Sequence, residues 1–421
     1  MSEPPGAAAL PPASLCAALH AAVDDAFERE QVPLLAALVN APSHTAARAD
    51  VEVAACLLDE AAARVGLQLQ RHPDATGEFA DHRVYSTPAT APHDRCLALV
   101  GHIDTVFPRS MGFLTFSRDD GPDGPGTGEL AYGPGVLDMK SGLTSMIAAI
   151  AAVRRVLGAR ADELKLRLVC NSDEEVGSPT SEPLYRALAP HTTAALVFEA
   201  GREKDAIVTT RKGGGLFEFT VHGRAAHAGN DHAAGINAIH ALALLVPRFE
   251  GLTDYARGVT VNVGVIEGGT SKNTVPERAR CVLDARFDTV ADAQRVIAQL
   301  QSWADTPFRA HDWVPQKLRA VRAELGGAMT RPPMEPGPGT TALRLRYEAC
   351  AAQAGLGTGE APRQGGGSDG NLLAAFGVPT IDGLGPYGRY FHQVREFCSL
   401  ASLRRRTQAL AVFLAQELAS E

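Results

Sequence analysis

Several features that mark other classes of protein are missing from this sequence of 421 residues. Its seven cysteines are scattered, odd in number and never spaced as C-x-x-C, which indicates reduced, buried thiols in a cytoplasmic protein. No apolar run reaches the length of a transmembrane helix. The first residues, Met1 to Pro12, contain Glu3 but no lysine or arginine, so they lack the basic start of a secretory signal.

A basic block is missing as well. The net charge is −8, which argues against a nucleic acid or a membrane surface as a partner. With 45% apolar and 21% charged residues, the composition is that of a globular protein. The chain is longer than one ordinary core supports, so two domains are expected.

The stretch from Leu97 to Val106 is the first that indicates chemistry. Its apolar start, Leu97 to Val100, is typical of a buried strand, and His102 and Asp104 follow two residues apart. On an extended chain this spacing puts both side chains on one face. A ligating imidazole needs its second nitrogen held by a carboxylate, so His102 as a metal ligand backed by Asp104 is one interpretation. A plain loop pair is the other.

Carboxylates follow two more predicted strands. The alternating strand Leu164 to Val169 leads into an acidic turn with Glu174 and Glu175. A second strand begins at Ala194 and ends at Glu199. Adjacent acids repel one another unless a cation compensates, although an isolated acidic turn can simply be solvated. Because ligand sites in α/β sheets lie beyond the carboxyl ends of strands, these residues are expected at one sheet edge.

Two further candidates lie beside glycine. Asp138 stands in the glycine-rich residues 131–142, ahead of a predicted helix from Leu143 to Val156. These glycines fit neither a Walker loop nor G-x-G-x-x-G after a strand, so a nucleotide site is not favoured. Asp138 is either a helix N-cap or a carboxylate presented in a glycine-lined pocket. His392 follows a Gly/Pro loop after a predicted strand, Val378 to Leu384.

Together these residues predict a metal centre. Imidazole and carboxylate donors without a thiolate suit a borderline metal, and we predict zinc, with Co²⁺ or Mn²⁺ as substitutes. The five predicted ligands are His102, Asp138, Glu175, Glu199 and His392.

Three strings, G-H-x-D-T-V, G-x-G-x-x-D-x-K-x-G and D-E-E-x-G-S, occur here in that order. By these motifs the chain resembles the di-zinc exopeptidase and deacylase family, which includes glutamate carboxypeptidases, acetylornithine deacetylase, succinyl-diaminopimelate desuccinylase and aminoacylase. The resemblance runs from about Leu34 to the C-terminus. Locally it is closest to glutamate carboxypeptidases, through the G-G-G-S-D run and Met329 to Pro333.

The resemblance implies two zinc ions per chain and a role for each residue. Asp138 resembles the carboxylate that bridges both metals. The other ligands divide between the metals in two pairs: His102 with Glu199, and Glu175 with His392. Glu174 resembles the general base, and Asp104 the carboxylate that holds the ligating histidine. A non-proline cis peptide bond after Asp138 is also implied.

The middle of the chain shows another order of elements. Predicted strand, helix, strand, strand and helix indicate a four-stranded α+β insert, with a further strand expected around Val314 to Val321. The resemblance makes this insert the lid and dimerisation domain. We place it at residues 211–326, inside a discontinuous di-metal domain of residues 1–210 and 327–421. The expected fold is α/β, with a mixed, mostly parallel sheet flanked by helices.

The remaining site residues also come from the resemblance. His227 resembles a histidine that polarises the oxyanion in the partner subunit's site, and Asn273 resembles its companion; taken alone, a histidine before glycine is a loop residue. The other substrate-binding residues would be Arg286, Arg331, Gly366, Gly367 and Ser368. Arg286 on a strand could instead form a routine ion pair. The free amides at the start of a predicted helix, Asn371 to Phe376, would suit a substrate carboxylate.

The sequence thus predicts a cytoplasmic di-metal hydrolase that acts beside a free carboxylate. It would release a C-terminal, glutamate-like amino acid from a short peptide, or deacylate an N-acyl amino acid. A non-catalytic zinc-binding protein on the same fold is the alternative from another class. A homodimer formed through the insert is the expected assembly.

Overall fold

The computed structural model describes residues 10–119, 129–306 and 308–420. A loop rich in Gly, Pro and Asp, which the sequence predicts from Asp119 to Gly128, lies almost wholly outside these ranges, as do the first nine residues. The chain divides into two compact units. One, here called the main unit, comprises Met1–Thr210, Pro336–Arg363 and Ser368–Glu421. The other, here called the insert, comprises Arg211–Glu335 and Gln364–Gly367.

The described residues form ten α-helices and sixteen strands, numbered here in chain order. The α-helices are α1 Ala13–Ala26, α2 Val32–Asn40, α3 Arg48–Arg64, α4 Ser141–Leu157, α5 Glu182–Leu188, α6 Ala238–Glu250, α7 Val290–Asp305, α8 Pro338–Gln353, α9 Asp369–Ala375 and α10 Leu400–Ser420. The strands are β1 Gln68–His72, β2 His82–Ser86, β3 Cys96–His102, β4 Ser117–Asp119, β5 Leu130–Tyr132, β6 Leu166–Asn171, β7 Thr192–Val197, β8 Gly213–His222, β9 Ala226–His227, β10 Thr260–Gly268, β11 Thr274–Val275, β12 Arg278–Phe287, β13 Arg322–Arg331, β14 Thr380–Ile381, β15 Gly388–Arg389 and β16 Phe397–Ser399.

The main unit is built on a six-stranded sheet in the order β1-β2-β6-β3-β7-β14. Neighbours from β6 to β14 are parallel, whereas the pairs β1/β2 and β2/β6 are antiparallel. This confirms the predicted mixed, mostly parallel sheet. A smaller antiparallel sheet, β15-β16-β5-β4, also belongs to this unit.

Strand β3 shows why its sequence is a continuous apolar run. Leu97 and Leu99 join an apolar cluster with residues of α1, α3, α4, α8 and α10, while Ala98 and Val100 join another with residues of α5 and α9. Side chains alternate between the faces of a strand, so both faces of β3 are covered by helices.

The Ala-rich residues 14–38, with apolar residues at helical spacing, form two helices, α1 and α2, joined by a π-helical turn at Phe27–Gln31. In addition, one stretch of the described residues, Val136–Glu163, is long and apolar enough to cross a membrane by length and composition. However, 83% of the most apolar 18 residues of this stretch is buried inside the protein, as in a core helix.

The insert is a four-stranded antiparallel sheet in the order β10-β12-β8-β13, with α6 and α7 packed on one face. Alternate residues of β8 and β12, including Phe217, Phe219, Cys281 and Leu283, supply the apolar face under these helices. A separate two-stranded ribbon pairs β9 with β11.

The last strand of the insert differs from its prediction. A strand was expected around Val314 to Val321, but that segment contains a short 3₁₀ turn, Gln316–Leu318, and the strand is β13. The residues Val314, Leu318 and Val321 are buried, so their apolar pattern reflects packing in a turn.

The end of the insert also lies further along the chain than residue 326. Strand β13 pairs with β8 through Gly326 and Gly327, and the compact unit continues to Glu335. At Gly327 φ is +84°, and a Cβ there would lie 2.1 Å from the carbonyl oxygen of Leu216. The two glycines therefore belong to a closely packed strand and do not mark a domain boundary.

Candidate metal centre

The candidate ligands gather at the carboxyl ends of adjacent parallel strands. β6, β3 and β7 are neighbours in the sheet, so these ends share one edge. His102 is the last residue of β3, the turn with Glu174 and Glu175 follows β6, and Glu199 follows β7. The structure thus brings these residues together.

The first donor group consists of His102, Asp138 and Glu199. One ligand atom from each lies within 4.8 Å of the others. His102 Nε2 is 3.2 Å from Asp138 Oδ1 and 3.8 Å from Glu199 Oε1. The group is buried, since the His102 side chain is only 1% exposed.

The second donor group consists of Asp138, Glu175 and His392. His392 Nε2 is 3.3 Å from Asp138 Oδ2 and 3.1 Å from Glu175 Oε2. Asp138 therefore turns Oδ1 to the first group and Oδ2 to the second. His392 has φ +63°, a left-handed conformation that is uncommon for residues other than glycine.

The backbone around Asp138 has the geometry implied by the resemblance. The Asp138–Met139 peptide bond is cis, which confirms that expectation. Helix α4 begins only at Ser141 and has no side-chain cap, so the alternative of Asp138 as its N-cap is wrong. At Gly142 a Cβ would lie 2.3 Å from the carbonyl oxygen of Phe198, so glycine lets the start of α4 approach the segment that leads to Glu199.

Asp104 contacts both His102 and the acidic turn. His102 Nδ1 is 3.0 Å from the Asp104 carbonyl oxygen and 3.4 Å from its carboxylate Oδ1, so the carbonyl is the nearer acceptor. With its proton on Nδ1, the ring turns the Nε2 lone pair to the donor group. The Asp104 carboxylate accepts the backbone N–H groups of Glu174 and Glu175 at 3.3 and 3.2 Å.

Two contacts at the centre escaped the sequence analysis. Thr45 donates its hydroxyl to Asp104 Oδ2 at 2.7 Å. The Glu396 carboxylate accepts backbone N–H groups of Leu137 and Asp138. Thr45 belongs to no motif, but Glu396 stands four residues after His392 in an acid-containing loop, which is a weak signal.

The electrostatics of the centre call for positive charge. Burial, with the charge of Asp138, raises the pKa of Glu199 well above its usual range and also raises that of Glu175. Burial alone would raise the pKa of Asp138 too, but hydrogen bonds from His102 and His392 hold it far below its usual range. Glu175 Oε1 is buried and has no hydrogen-bond partner among the described residues. Divalent cations would supply the missing partner and counter-charge, so the residues present fit a metal pair.

Glu174 lies at the centre but belongs to neither donor group. It is half-buried, and its charge contributes to the raised pKa of Glu199, so it faces the same cluster. Its backbone N–H donates to Asp104, which fixes the position of this carboxylate beside the donor groups.

In the insert, His227 and Asn273 are brought together on the two-stranded ribbon. Thr274 is the partner of His227 in the β9/β11 ladder, and the Ala228 N–H donates to the Asn273 carbonyl oxygen at 2.8 Å. His227 Nδ1 accepts the N–H groups of Gly229 and Asn230 at 3.1 and 3.0 Å. Nδ1 is thereby an acceptor, so the proton of the neutral ring is on Nε2.

The two predicted arginines flank one glycine of β8. Arg286 on β12 and Arg331 on β13 both have Gly214 as their ladder partner. Arg286 forms a bidentate pair with Asp284, at 2.9 and 2.8 Å, as in the ion-pair alternative. Arg331 is buried against Gly367, where a Cβ would lie 2.6 Å from Arg331 Cδ.

The glycine run is held by a residue that sequence reasoning missed. Arg211 Nη1 donates to the Gly366 carbonyl oxygen at 3.1 Å, and the Lys212 N–H donates to the Gln364 carbonyl oxygen at 2.8 Å. Gly366 and Gly367 therefore lie beside buried arginine side chains of the insert. No motif separates Arg211 from an ordinary surface arginine.

Ser368, in the main unit, has another role than the one expected. Its side chain accepts the Gly370 N–H at 3.1 Å and donates to Asp382 Oδ2 at 2.6 Å. Its own N–H donates to Asn371 Oδ1 at 2.9 Å. These groups form a capping box at the start of α9, so the N–H groups of Ser368 and Gly370 are already paired, and binding of a substrate carboxylate by Ser368 stays a prediction.

Comparison with known proteins agrees with this architecture. Residues 209–312 match the family described as peptidase dimerisation domain. The chain is 28% identical over 314 residues to carboxypeptidase G2 of Pseudomonas sp. strain RS-16, covering 74% of this chain and 71% of that protein. It is 30% identical over 241 residues to acetylornithine deacetylase of Myxococcus xanthus, covering 55% and 60%. An M20 family metallo-carboxypeptidase from Sulfolobus solfataricus has the same fold, with a TM-score of 0.67, 17% identity and coverage of 92% and 99%.

The fold and the paired donor groups define the class of metal-dependent peptidases and amidohydrolases. The chain is similar to members of the M20 peptidase family in sequence and fold, and the resemblance drawn from its motifs is confirmed.

Proposed function

We propose that this chain is a di-zinc hydrolase that cleaves an amide or peptide bond next to a free carboxylate and releases a glutamate-like C-terminal amino acid. The observation that carries the proposal is the placement of Asp138, whose two oxygens face two separate donor groups. A single ion would need only one of these groups. Co²⁺ or Mn²⁺ could replace zinc, because imidazole and carboxylate donors accept all three.

Bound divalent ions would polarise the scissile carbonyl and lower the pKa of the attacking water to about 7. Glu174 would accept the proton of that water and deliver it to the leaving nitrogen. Asp104 supports this role, because it holds the Glu174 backbone and the His102 ring at the same time. The proton transfer therefore depends on the position of Glu174. That position is set by the contact between the residues that follow β6 and those that follow β3.

The substrate carboxylate would bind at Arg331 and the adjoining glycines, Gly366 and Gly367. Arg331 is buried there, and a guanidinium out of water binds carboxylates strongly. Arg286 has a smaller part, since Asp284 already neutralises it. Resemblance to carboxypeptidase G2 favours a peptide-like substrate, while resemblance to acetylornithine deacetylase makes an N-acyl amino acid deacylase the second candidate.

We further propose a cytoplasmic homodimer formed through the insert, in which His227 and Asn273 serve the partner's site. The match to a peptidase dimerisation domain supports the assembly. The His227 tautomer supports the role, because an N–H on Nε2 can donate to a developing oxyanion.

A substrate panel tests this proposal. The protein is stripped with a chelator, reloaded with Zn²⁺ and given N-acyl amino acids and peptides that differ only in the C-terminal residue, Glu, Asp, Gln or Ala. We expect two metal ions per chain by elemental analysis and the fastest amine release from substrates ending in Glu. Faster cleavage of N-acetyl amino acids without regard to the side chain would favour the deacylase. Two bound ions without hydrolysis of any substrate would support the non-catalytic zinc-binding alternative.

A further inference from the structure

Glu396 is a buried carboxylate at the metal centre that the proposed reaction does not use. It is fully buried, in the loop between His392 and strand β16. It belongs to neither donor group. A buried carboxylate is costly unless its oxygens are satisfied, so its contacts should show what it does.

One oxygen of Glu396 accepts two consecutive backbone amides. Oε1 accepts the Leu137 N–H at 2.7 Å and the Asp138 N–H at 3.1 Å. These amides lie just before helix α4. The backbone of this segment is non-helical at Asp138 and Met139. Glu396 thus provides an acceptor for two amides of an irregular turn, and a buried amide is costly when it has no acceptor.

The same loop also carries His392. The Glu396 N–H donates to the Gln393 carbonyl oxygen at 2.9 Å, which closes the turn that follows His392. Next along the chain, β16 pairs with β5, where Phe397 is the partner of Tyr132. Since β5 leads directly into the segment that bears Asp138, the two segments are joined by a strand ladder and by the Glu396 carboxylate.

We propose that Glu396 is a positioning residue, which holds the Asp138 turn so that Oδ1 and Oδ2 face both donor groups at once. This inference rests on the proposed di-metal function. Glu396 acts by accepting two hydrogen bonds with a side chain long enough to reach both amides. A glutamine, whose amide oxygen is equally far from the backbone, can therefore replace it. Groups that orient metal ligands typically change metal affinity by 10–100-fold when they are removed.

The test measures zinc affinity in metal-free protein, by competition with a chromophoric chelator. Glu396→Gln keeps an acceptor at the same reach, Glu396→Asp is one methylene too short, and Glu396→Leu has no acceptor. Glu348→Asp is the matched control. Glu348 is another buried carboxylate of the main unit, which accepts the Gly359 N–H at 2.7 Å and pairs with Arg344.

We expect Glu396→Gln to bind both ions within about threefold of wild type, and Glu396→Asp and Glu396→Leu to bind at least one ion 10–100-fold more weakly. Glu348→Asp should bind zinc as wild type does. If Glu396→Leu does not fold, Glu396→Asp carries the test, with circular dichroism showing that its fold is intact.

Three results would overturn the proposal. Wild-type affinity in Glu396→Asp and Glu396→Leu would show that the clamp is not needed. Equal weakening in Glu348→Asp would show a general effect of destabilisation. Weakening in Glu396→Gln as large as in Glu396→Leu would show that charge matters and acceptance does not. Asp138→Ala, measured alongside, distinguishes failure of the Glu396 proposal from failure of the proposed di-metal function. If Asp138→Ala also keeps both ions, the di-metal function itself is wrong.

Discussion

The candidate residues of the main unit and those of the insert are held in opposite ways. In the main unit, His102, Asp138 and Glu199 are largely buried, and one ligand atom from each lies within 4.8 Å of the others. In the insert, His227 and Asn273 are exposed on a two-stranded ribbon. The main unit therefore contains a complete donor set by itself, whereas the insert presents groups that are ordered locally and face outward.

This difference means that changes to the donor residues of the main unit should remove metal, while changes to His227 or Asn273 in the insert should leave metal in place. The largest effect is expected for Asp138→Ala. Because Asp138 serves both donor groups, its loss should release both ions and reduce hydrolysis to the background of the assay. Elemental analysis after zinc reconstitution measures this.

An exposed acid provides the control for that variant. Glu60→Ala removes a carboxylate from α3 that pairs with Arg64 at the surface, so metal content and activity should be unchanged. An Asp138→Ala protein that keeps two ions would contradict the assignment of the metal donors to the main unit.

Glu174→Gln should separate catalysis from metal binding inside the main unit. The amide cannot accept a proton, so kcat should fall on the order of 10²–10⁴ while two ions stay bound. Parallel measurement of turnover and metal content checks this. Near-normal turnover would exclude Glu174 as the general base.

His227→Ala tests the insert in the same way. We expect kcat to fall on the order of 10²–10³ with metal content unchanged, because one donor to the oxyanion is lost. If His227 acts across a dimer, mixing this variant with Glu174→Gln and allowing subunit exchange should restore part of the activity. In the heterodimer one site then carries both lesions and the other carries neither.

The complementation experiment can also contradict a role of His227 in the partner's site. Proven exchange without recovery would mean that His227 serves its own chain or has no catalytic part. A loss of metal in His227→Ala would contradict the separation of the two units, since no donor group contains that residue.

The smallest expected effect is a pH dependence of metal-free stability within the main unit. Hydrogen bonds to Asp138 and Glu175 raise the pKa of His392 to about 10. A histidine whose folded pKa is raised stabilises the fold fully below its unfolded pKa of about 6.5, and this stabilisation is lost as pH rises to about 10. The His392 contribution to the Tm difference between wild type and His392→Gln should therefore be largest below pH 6.5 and vanish towards pH 10.

Zinc provides the control for that titration. A ligating imidazole is neutral, so added Zn²⁺ should stabilise the wild type and remove the His392 contribution to the pH dependence. A Tm difference that does not change between pH 6.5 and 10 in the metal-free protein would contradict the ion-pair account of His392.

Much of the main unit could be predicted because its signals are local. The apolar run of β3 and the alternation before Asn171 indicated strands, and side chains just after parallel strands converge at one edge. In the insert the same approach misplaced β13, because burial of Val314 and Val321 in a turn has the same apolar pattern as a strand.

The sequence by itself predicted the five candidate ligands, since each follows a strand or a glycine-rich loop, and its motifs implied the role of Glu174 through the family resemblance. Only the tertiary structure decided which groups support them. Thr45 reaches Asp104 across 59 residues and Glu396 reaches Leu137 across 259, and Ser368 turns inward to cap α9. Such contacts depend on how distant segments pack, because a hydrogen bond needs its two atoms within about 3 Å, and no periodicity in the chain records that distance.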